Sequence, residues 1–205
     1  MCTGKCAKCI GASLYPLAFC CVIANILLFF PNFEVEYVED TNKLTPEVLY
    51  LGGILGGGIM ILFPAIHIHA TGNGGCCTNR CGMFLSIIFA ALGVVGSGYC
   101  LATSSLGLVN GPMCVDGTGN WTRPFLTDFE DLEGNFSISE ENYLFHYELW
   151  DKCHRPKDVI LFNVVLFALL IGCSLIELVL CLLQMINGLF GCICGTCGKR
   201  RANPV

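Results

Sequence analysis

Sixteen of the 205 residues are cysteine, and their spacing is the first hint of chemistry in the chain. Cys6/Cys9 and Cys194/Cys197 have the Cys-x2-Cys spacing of tetrahedral zinc sites, but no histidine accompanies either pair. Nine thiols, Cys2, Cys6, Cys9, Cys76, Cys77, Cys81, Cys192, Cys194 and Cys197, lie near Lys5, Lys8, Arg80 or Lys199–Arg201 at the ends of apolar runs. Juxtamembrane thiols beside bases are the usual substrates for S-palmitoylation, so acylation is the expectation, with zinc binding and inert thiols as the alternatives. Myristoylation is excluded because residue two is cysteine. His67 and His69 form a lone His-x-His, short of the histidine boxes of a membrane di-iron oxygenase. No glycine loop precedes a lysine and no Ser/His/Asp set stands out. We therefore expect no enzyme, no metal, no cofactor and no nucleic-acid partner.

The elements that carry these residues follow from where charge is absent. Only 13% of residues are charged and 54% are hydrophobic, against about 25% charged in a soluble domain. No charge falls between Lys8 and Glu34, Glu47 and Arg80, or Arg80 and Asp116, and only Glu177 falls between Asp158 and Lys199. Each window can supply the roughly 20 apolar residues that cross a bilayer as a helix. The expected fold is an all-α membrane protein, a four-helix transmembrane bundle with a small, disulfide-closed second extracellular loop. Spans are expected at 10–30, 48–69, 83–109 and 159–191, with loops at 31–47, 70–82 and 110–158 and tails at 1–9 and 192–205. Short segments rich in Lys and Arg stay cytoplasmic, which puts both termini inside and the two acidic loops outside. The sequons at Asn120 and Asn135 fall in the second outer loop and agree with that orientation. Cys114 and Cys153 are the only cysteines clearly outside, so if they bridge they bridge each other. Closing that loop would remove about 4 kcal/mol of chain entropy.

Polar and small residues within the spans are the remaining signals. Glu177 is the one intramembrane acid, and such groups are costly enough to be site candidates. At 1.5 Å per residue it lies about 27 Å below the start of span four, and His67 lies about 28 Å below the start of span two. Equal depths predict a Glu177–His67 hydrogen bond or a neutral Glu177. The same count pairs Asn25 with Asn163 near the outer boundary, with Ser104 and Ser105 available from span three. Gly52, Gly53, Gly56 and Gly57 in span two, and Gly93 with Ser97 in span three, form small-residue faces. They serve either packing within the bundle or the docking of a partner's helix.

Several blocks in order now carry a resemblance. Met1-Cys-Thr-Gly-Lys-Cys-Ala-Lys-Cys-Ile-Gly11, Ala24-Asn-Ile-Leu-Leu-Phe-Phe-Pro-Asn32, Gly52-Gly-Ile-Leu-Gly-Gly-Gly58, Gly98-Tyr-Cys-Leu101, Gly111-Pro-Met-Cys114, Leu149-Trp-Asp-Lys-Cys153 and Ile186-Asn-Gly-Leu-Phe-Gly191 resemble the L6-antigen family of four-transmembrane proteins. The resemblance implies a plasma-membrane or endosomal scaffold that associates laterally with integrins, growth-factor receptors and tetraspanins. It also implies palmitoylated cytoplasmic cysteines, a glycosylated second loop and effects on adhesion, migration or proliferation. The family's Trp-Asn-x-Ser/Thr at the start of span four is replaced by Phe162-Asn-Val-Val165, and the stretch Asp128–Tyr147 is longer and more acidic. The likeness to tetraspanins is architectural only.

Two functions are weighed from the sequence. A lateral scaffold would use membrane lipids and receptor ectodomains as partners, with a second copy of the chain as a further candidate. Its surfaces would be the acylated cysteines, the span-two glycines and the loop aromatics Trp121, Phe125, Phe129, Tyr143, Phe145, Tyr147 and Trp150. A transporter, channel or membrane sensor would instead work through the polar site around Glu177.

Overall fold

The computed structural model describes residues 3–31, 34, 43–72, 80–116, 119–126 and 142–194. Asn135, Phe129, Cys2, Cys76, Cys77 and Cys197 lie outside the described residues. Four helical spans are present, each long and apolar enough to cross a membrane. Hydrocarbon offers no partner for backbone N–H and C=O groups, so a crossing segment has to bond within itself. Helix α1 runs Thr3–Leu28. Span two contains α2 (Pro46–Leu49), a π-helical segment (Gly52–Ile59) and α3 (Met60–Gly72). Spans three and four are α4 (Arg80–Asn110) and α5 (Val159–Cys194). Helix α1 starts at Thr3, ahead of the span expected from Ile10, so Lys5, Cys6, Lys8 and Cys9 stand on helix. Cys81 and Cys194 fall on the ends of α4 and α5.

Neighbours in sequence are neighbours around the bundle, and α5 closes the ring against α1. One buried cluster joins Leu14 and Ala18 of α1 to Ile61, Ala65 and Ile68 of α3, with Ala90 and Cys181. The second, nearer the end where α4 gives way to Cys114, joins Cys21, Ala24 and Leu28 to Val48, Cys100, Phe167 and Leu170. Phe19, Phe63, Ile66, Phe84 and Val95 point outward and are more than half exposed, as lipid-facing side chains are. On that outward side α1 and α5 border a groove of about 370 Å³ lined by Pro16, Phe19, Ile23, Leu27, Leu166 and Leu169.

Span two is not the continuous α-helix expected over 48–69. Pro46 opens α2 at its first turn, where a missing N–H costs nothing. The helix then breaks at Tyr50–Leu51, and Leu51 takes a left-handed φ of 52°. Five glycines in the next seven residues have no side chains to hold an α-helix, and each is worth about 1 kcal/mol less there than alanine. Packing therefore sets the conformation. A Cβ on Gly56 would lie 2.6 Å from the Gly96 carbonyl oxygen, and one on Gly53 would lie 2.7 Å from that of Cys21. The glycines let the backbones of α1 and α4 approach on both sides. Groups around the break find partners on those helices. The Ile54 amide donates to Asn25 Oδ1 at 3.1 Å, and Tyr99 Oη donates to the Tyr50 carbonyl at 2.8 Å.

This packing makes alanine at Gly56 destabilising by about 1–3 kcal/mol, because two helices have to separate. Gly98 has nothing within 4 Å of its Cβ position, so Gly98→Ala is neutral or stabilises by up to about 1 kcal/mol. Thermal unfolding in detergent compares them, and equal midpoints for Gly56→Ala and wild type would contradict the close approach.

Candidate functional site

The end of the bundle that carries the Cys114–Cys153 loop is assembled on the last turn of α4. A helix leaves its final carbonyls without intrahelical partners. Here Tyr143 Oη donates to the Leu108 carbonyl, and Asn142 Nδ2 donates to that of Val109 at 3.2 Å. Arg123 Nη2 reaches the Gly111 carbonyl at 3.4 Å. The chain leaves α4 through Gly111, whose φ of 69° is the left-handed conformation that glycine favours after a helix. A side chain there would also strike Phe125, 2.9 Å from the Cβ position.

Glu47 accompanies this cap. Its Oε1 accepts from Asn110 Nδ2 at 2.8 Å, and Arg123 Nη2 lies 2.9 Å and 2.8 Å from its two oxygens. Glu47 is 6% exposed and Arg123 14%, so the carboxylate is buried and the guanidinium covers it at the edge of the cap. Sequence reasoning counted both only as loop charges. The available signal was Arg123, the one base between Arg80 and Lys152 in an acidic loop.

The Cys114–Cys153 disulfide is present, with the Cα atoms 5.5 Å apart. It sits beside a two-stranded ladder of β1 (Cys114–Val115) and β2 (Trp121–Thr122). The Val115 amide donates to the Arg155 carbonyl and the His154 amide to that of Val115, each at 2.9 Å, which ties the loop to the entrance of α5. Phe125 and Tyr143 stack at 4.5 Å inside a small core with Cys114, Val159 and Ile160. Burial pushes the Tyr143 phenol above its ordinary range. Trp150 Nε1 donates to the Tyr143 carbonyl at 3.0 Å from a 3-10 turn over Tyr147–Lys152. The aromatics expected as one contact surface are thus divided. Phe125 and Tyr143 pack inward, Trp121 and Trp150 are half-buried, and Phe145 and Tyr147 stand exposed. Asn120 is also exposed.

Within the membrane, the expected Glu177–His67 hydrogen bond is not formed. Glu177 is fully buried, Cys21 Sγ contacts its Oε1 at 3.7 Å, and its Oε2 has no partner among the described residues. His67 instead packs on Phe89 at 4.7 Å, with Nδ1 unpaired. The depth count failed because the two helices do not start level. Asn163 Nδ2 donates to Thr45 Oγ1 at 3.4 Å, so Thr45 is level with Asn163. An even count from there sets Glu177 beside Ile59, about two turns above His67. The expected Asn25–Asn163 pairing is replaced too, since Asn25 serves the Ile54 amide and Asn163 serves Thr45. Ser104 meets Cys100 Sγ at 3.9 Å.

Gly52, Gly53, Gly56 and Gly57 are buried in the bundle, so they do not offer a face to a partner's helix. Gly93 packs on Cys181, and Ser97 Oγ turns back to the Gly93 carbonyl at 2.8 Å. Gln184, fully buried and bonded to Ser86 Oγ at 3.2 Å, was not anticipated. Of the acylation candidates, Cys6 and Cys9 are exposed and Cys192 is half-buried. Among the described residues, no three His, Cys, Asp or Glu side chains are placed to hold a metal ion.

Comparisons with known proteins agree with this architecture. The family model for L6 membrane proteins matches residues 1–198. Transmembrane 4 L6 family member 5 of Homo sapiens is 44% identical over 209 residues, covering 100% of both chains. Transmembrane 4 L6 family member 1 of Homo sapiens is 42% identical over 205 residues, 96% of each chain. Member 4 of Mus musculus is 42% identical over 96% of this chain and 94% of its own. No solved structure matches.

Two outcomes follow from the outer cap. Arg123→Met leaves Glu47 buried without its cation and costs about 3–5 kcal/mol. The double variant with Glu47→Gln recovers much of that loss, and a thermal-unfolding cycle measures the coupling; simple additivity would remove the pair's role. Tyr143 adds a pH dependence. Its phenol is neutral on both sides of unfolding below the ordinary tyrosine pKa of about 10. Above that pH the unfolded chain ionises first, so stability falls as pH rises toward the raised folded value. Tyr143→Phe should flatten the alkaline limb of a pH–stability curve, and an unchanged limb would contradict the assignment.

Proposed function

The chain belongs to the L6 membrane protein family, multi-pass proteins of the membrane, and from that premise we propose that it is a non-enzymatic scaffold associating laterally with other membrane proteins. The observation that carries this reading is the position of Cys6 and Cys9. Both are exposed on the first turns of α1, three residues apart and so on one face, beside Lys5 and Lys8. A helix continuing from there into the bilayer sets the thiols at the headgroup level, where acyl chains enter the membrane. Each buried methylene would add about 0.8 kcal/mol of membrane affinity. Four spans already anchor the protein, so the gain is a choice of lipid surroundings and of acylated neighbours.

The bundle's own packing supports the same reading. The span-two glycines and the Gly93 face are consumed internally, which leaves lipid-facing side chains, terminal thiols and the outer loop for partners. Partners of the kind the family resemblance implies, integrins, growth-factor receptors and tetraspanins, would meet Phe145 and Tyr147 on that loop. In this reading the basic ends favour cytoplasmic termini, with the Cys114–Cys153 loop outside at the plasma membrane or an endosome. A second reading, a solute or proton site around Glu177, draws on its partnerless Oε2.

Quantitative co-purification in mild detergent tests the proposal, comparing wild type with a variant whose nine cytoplasmic cysteines are serine. Receptors or tetraspanins should accompany wild type and fall several-fold in a correctly localised variant. If neither form retains a partner, the scaffold reading fails, and solute uptake by wild type and Glu177→Gln decides the second one.

A further inference from the structure

Where the outer loop meets α5, a cleft of about 540 Å³ opens at the level where span four enters the bilayer. Its volume falls in the range of small-molecule sites, about 300–1,000 Å³. Trp150, Asp151, His154, Lys157 and Asp158 line it, and the first turn of α5, Val159–Leu161, forms its inner wall. The Cys153 end of the disulfide is also part of the wall, so this side is covalently fixed. The charged side chains do not answer one another. Among the described residues, Asp151, His154, Lys157 and Asp158 have no side-chain ion pair or hydrogen bond, although all four are exposed. Unpaired groups of both signs gathered around a cavity are complementary to a ligand that carries both signs.

We propose that this cleft binds the headgroup of a phosphocholine lipid. The order of groups along the chain matches the order of groups along such a lipid. Trp150 and Asp151 come first, farthest along the chain from the span. Trp150 lines the cleft, with Tyr147, 72% exposed, tilted against it at 5.1 Å from outside the lining. An aromatic face with a carboxylate beside it suits a quaternary ammonium, which has no N–H to donate and is held by ring quadrupole and charge. His154 and Lys157 follow, the donors that a phosphate diester needs. Val159–Leu161 complete the wall, and Leu161, half exposed, continues as lipid-facing surface along which acyl chains run. An anionic lipid would meet Asp151 and Asp158 without a second positive group in the headgroup to offset them. A primary ammonium has donors of its own and gains less from the rings.

The test uses the full-length protein, delipidated in dodecyl maltoside and offered equal amounts of phosphatidylcholine, phosphatidylethanolamine and phosphatidylglycerol with identical acyl chains. Native mass spectrometry reads which lipid survives gentle activation. The expected result is preferential retention of one phosphatidylcholine. Lys157→Glu and Asp151→Lys, both at exposed unpaired positions, should each lower that retention about tenfold, the effect of losing one charge-assisted contact. Their thermal midpoints should stay within a degree or two of wild type, since neither side chain has a protein partner to lose. Equal retention of the three headgroups by wild type would overturn the proposal without reference to any variant. So would wild-type retention in both charge-reversed forms. Soluble phosphocholine at the same concentration should not displace the lipid, and displacement would mean that the acyl-chain wall contributes nothing.

Discussion

An amide or carbonyl without a partner in hydrocarbon costs several kcal/mol, and span two interrupts its own α-helical hydrogen bonding about one turn after it begins. The break at Tyr50–Leu51 and the π-helical segment after it are tolerated because other helices meet the freed groups. Asn25 takes the Ile54 amide and Tyr99 caps the Tyr50 carbonyl. Neither contact forms unless α1 and α4 stand unusually close to span two, and the glycines provide that closeness. The small-residue faces, the buried asparagine and the tight α4 contact are thus one arrangement. Removing the closeness at Gly56 would unseat partners several residues away.

The same constraint operates at the outer end. There the last carbonyls of α4 are met by the second loop through Tyr143 and Asn142, and Arg123 takes the Gly111 carbonyl one residue beyond. The loop is consequently folded onto the bundle and does not form a separate domain. A guanidinium drawn into that cap has to be matched, and Glu47, delivered by the first turn of span two, matches it. A buried pair of this kind adds little net stability over an apolar pair, but it rejects misplaced neighbours, because either charge alone is costly there. It sets how the loop is oriented on spans two and three.

Much of this could be read from the chain. The four spans follow from the charge-free windows, and the disulfide follows from Cys114 and Cys153 being the cysteines of one outer loop. The helix type of Gly52–Ile59 could not be read, because glycine has no side chain whose periodicity reports it. The Glu47–Arg123 pair joins residues 76 positions apart and has no local signature. Glu177 was matched to the wrong residue because apolar runs locate ends, whereas Thr45 and Asn163 show that helix heights are set by contacts. The loop aromatics share one composition, and only the three-dimensional packing separates Phe125 and Tyr143 in the core from Phe145 and Tyr147 outside.

Considered as a frame, the outer end is stiff on three sides. The Cys114–Cys153 bridge couples the exit of span three to the entrance of span four, and Glu47–Arg123 couples the entrance of span two to the same loop. In the second half of α1, Asn25 meets span two and Cys21 meets Glu177, and next to α5 this half borders the apolar groove. Lateral stress from the bilayer therefore meets a covalent bridge and an ion pair at the loop end of spans two, three and four, and side-chain packing with lone hydrogen bonds along α1.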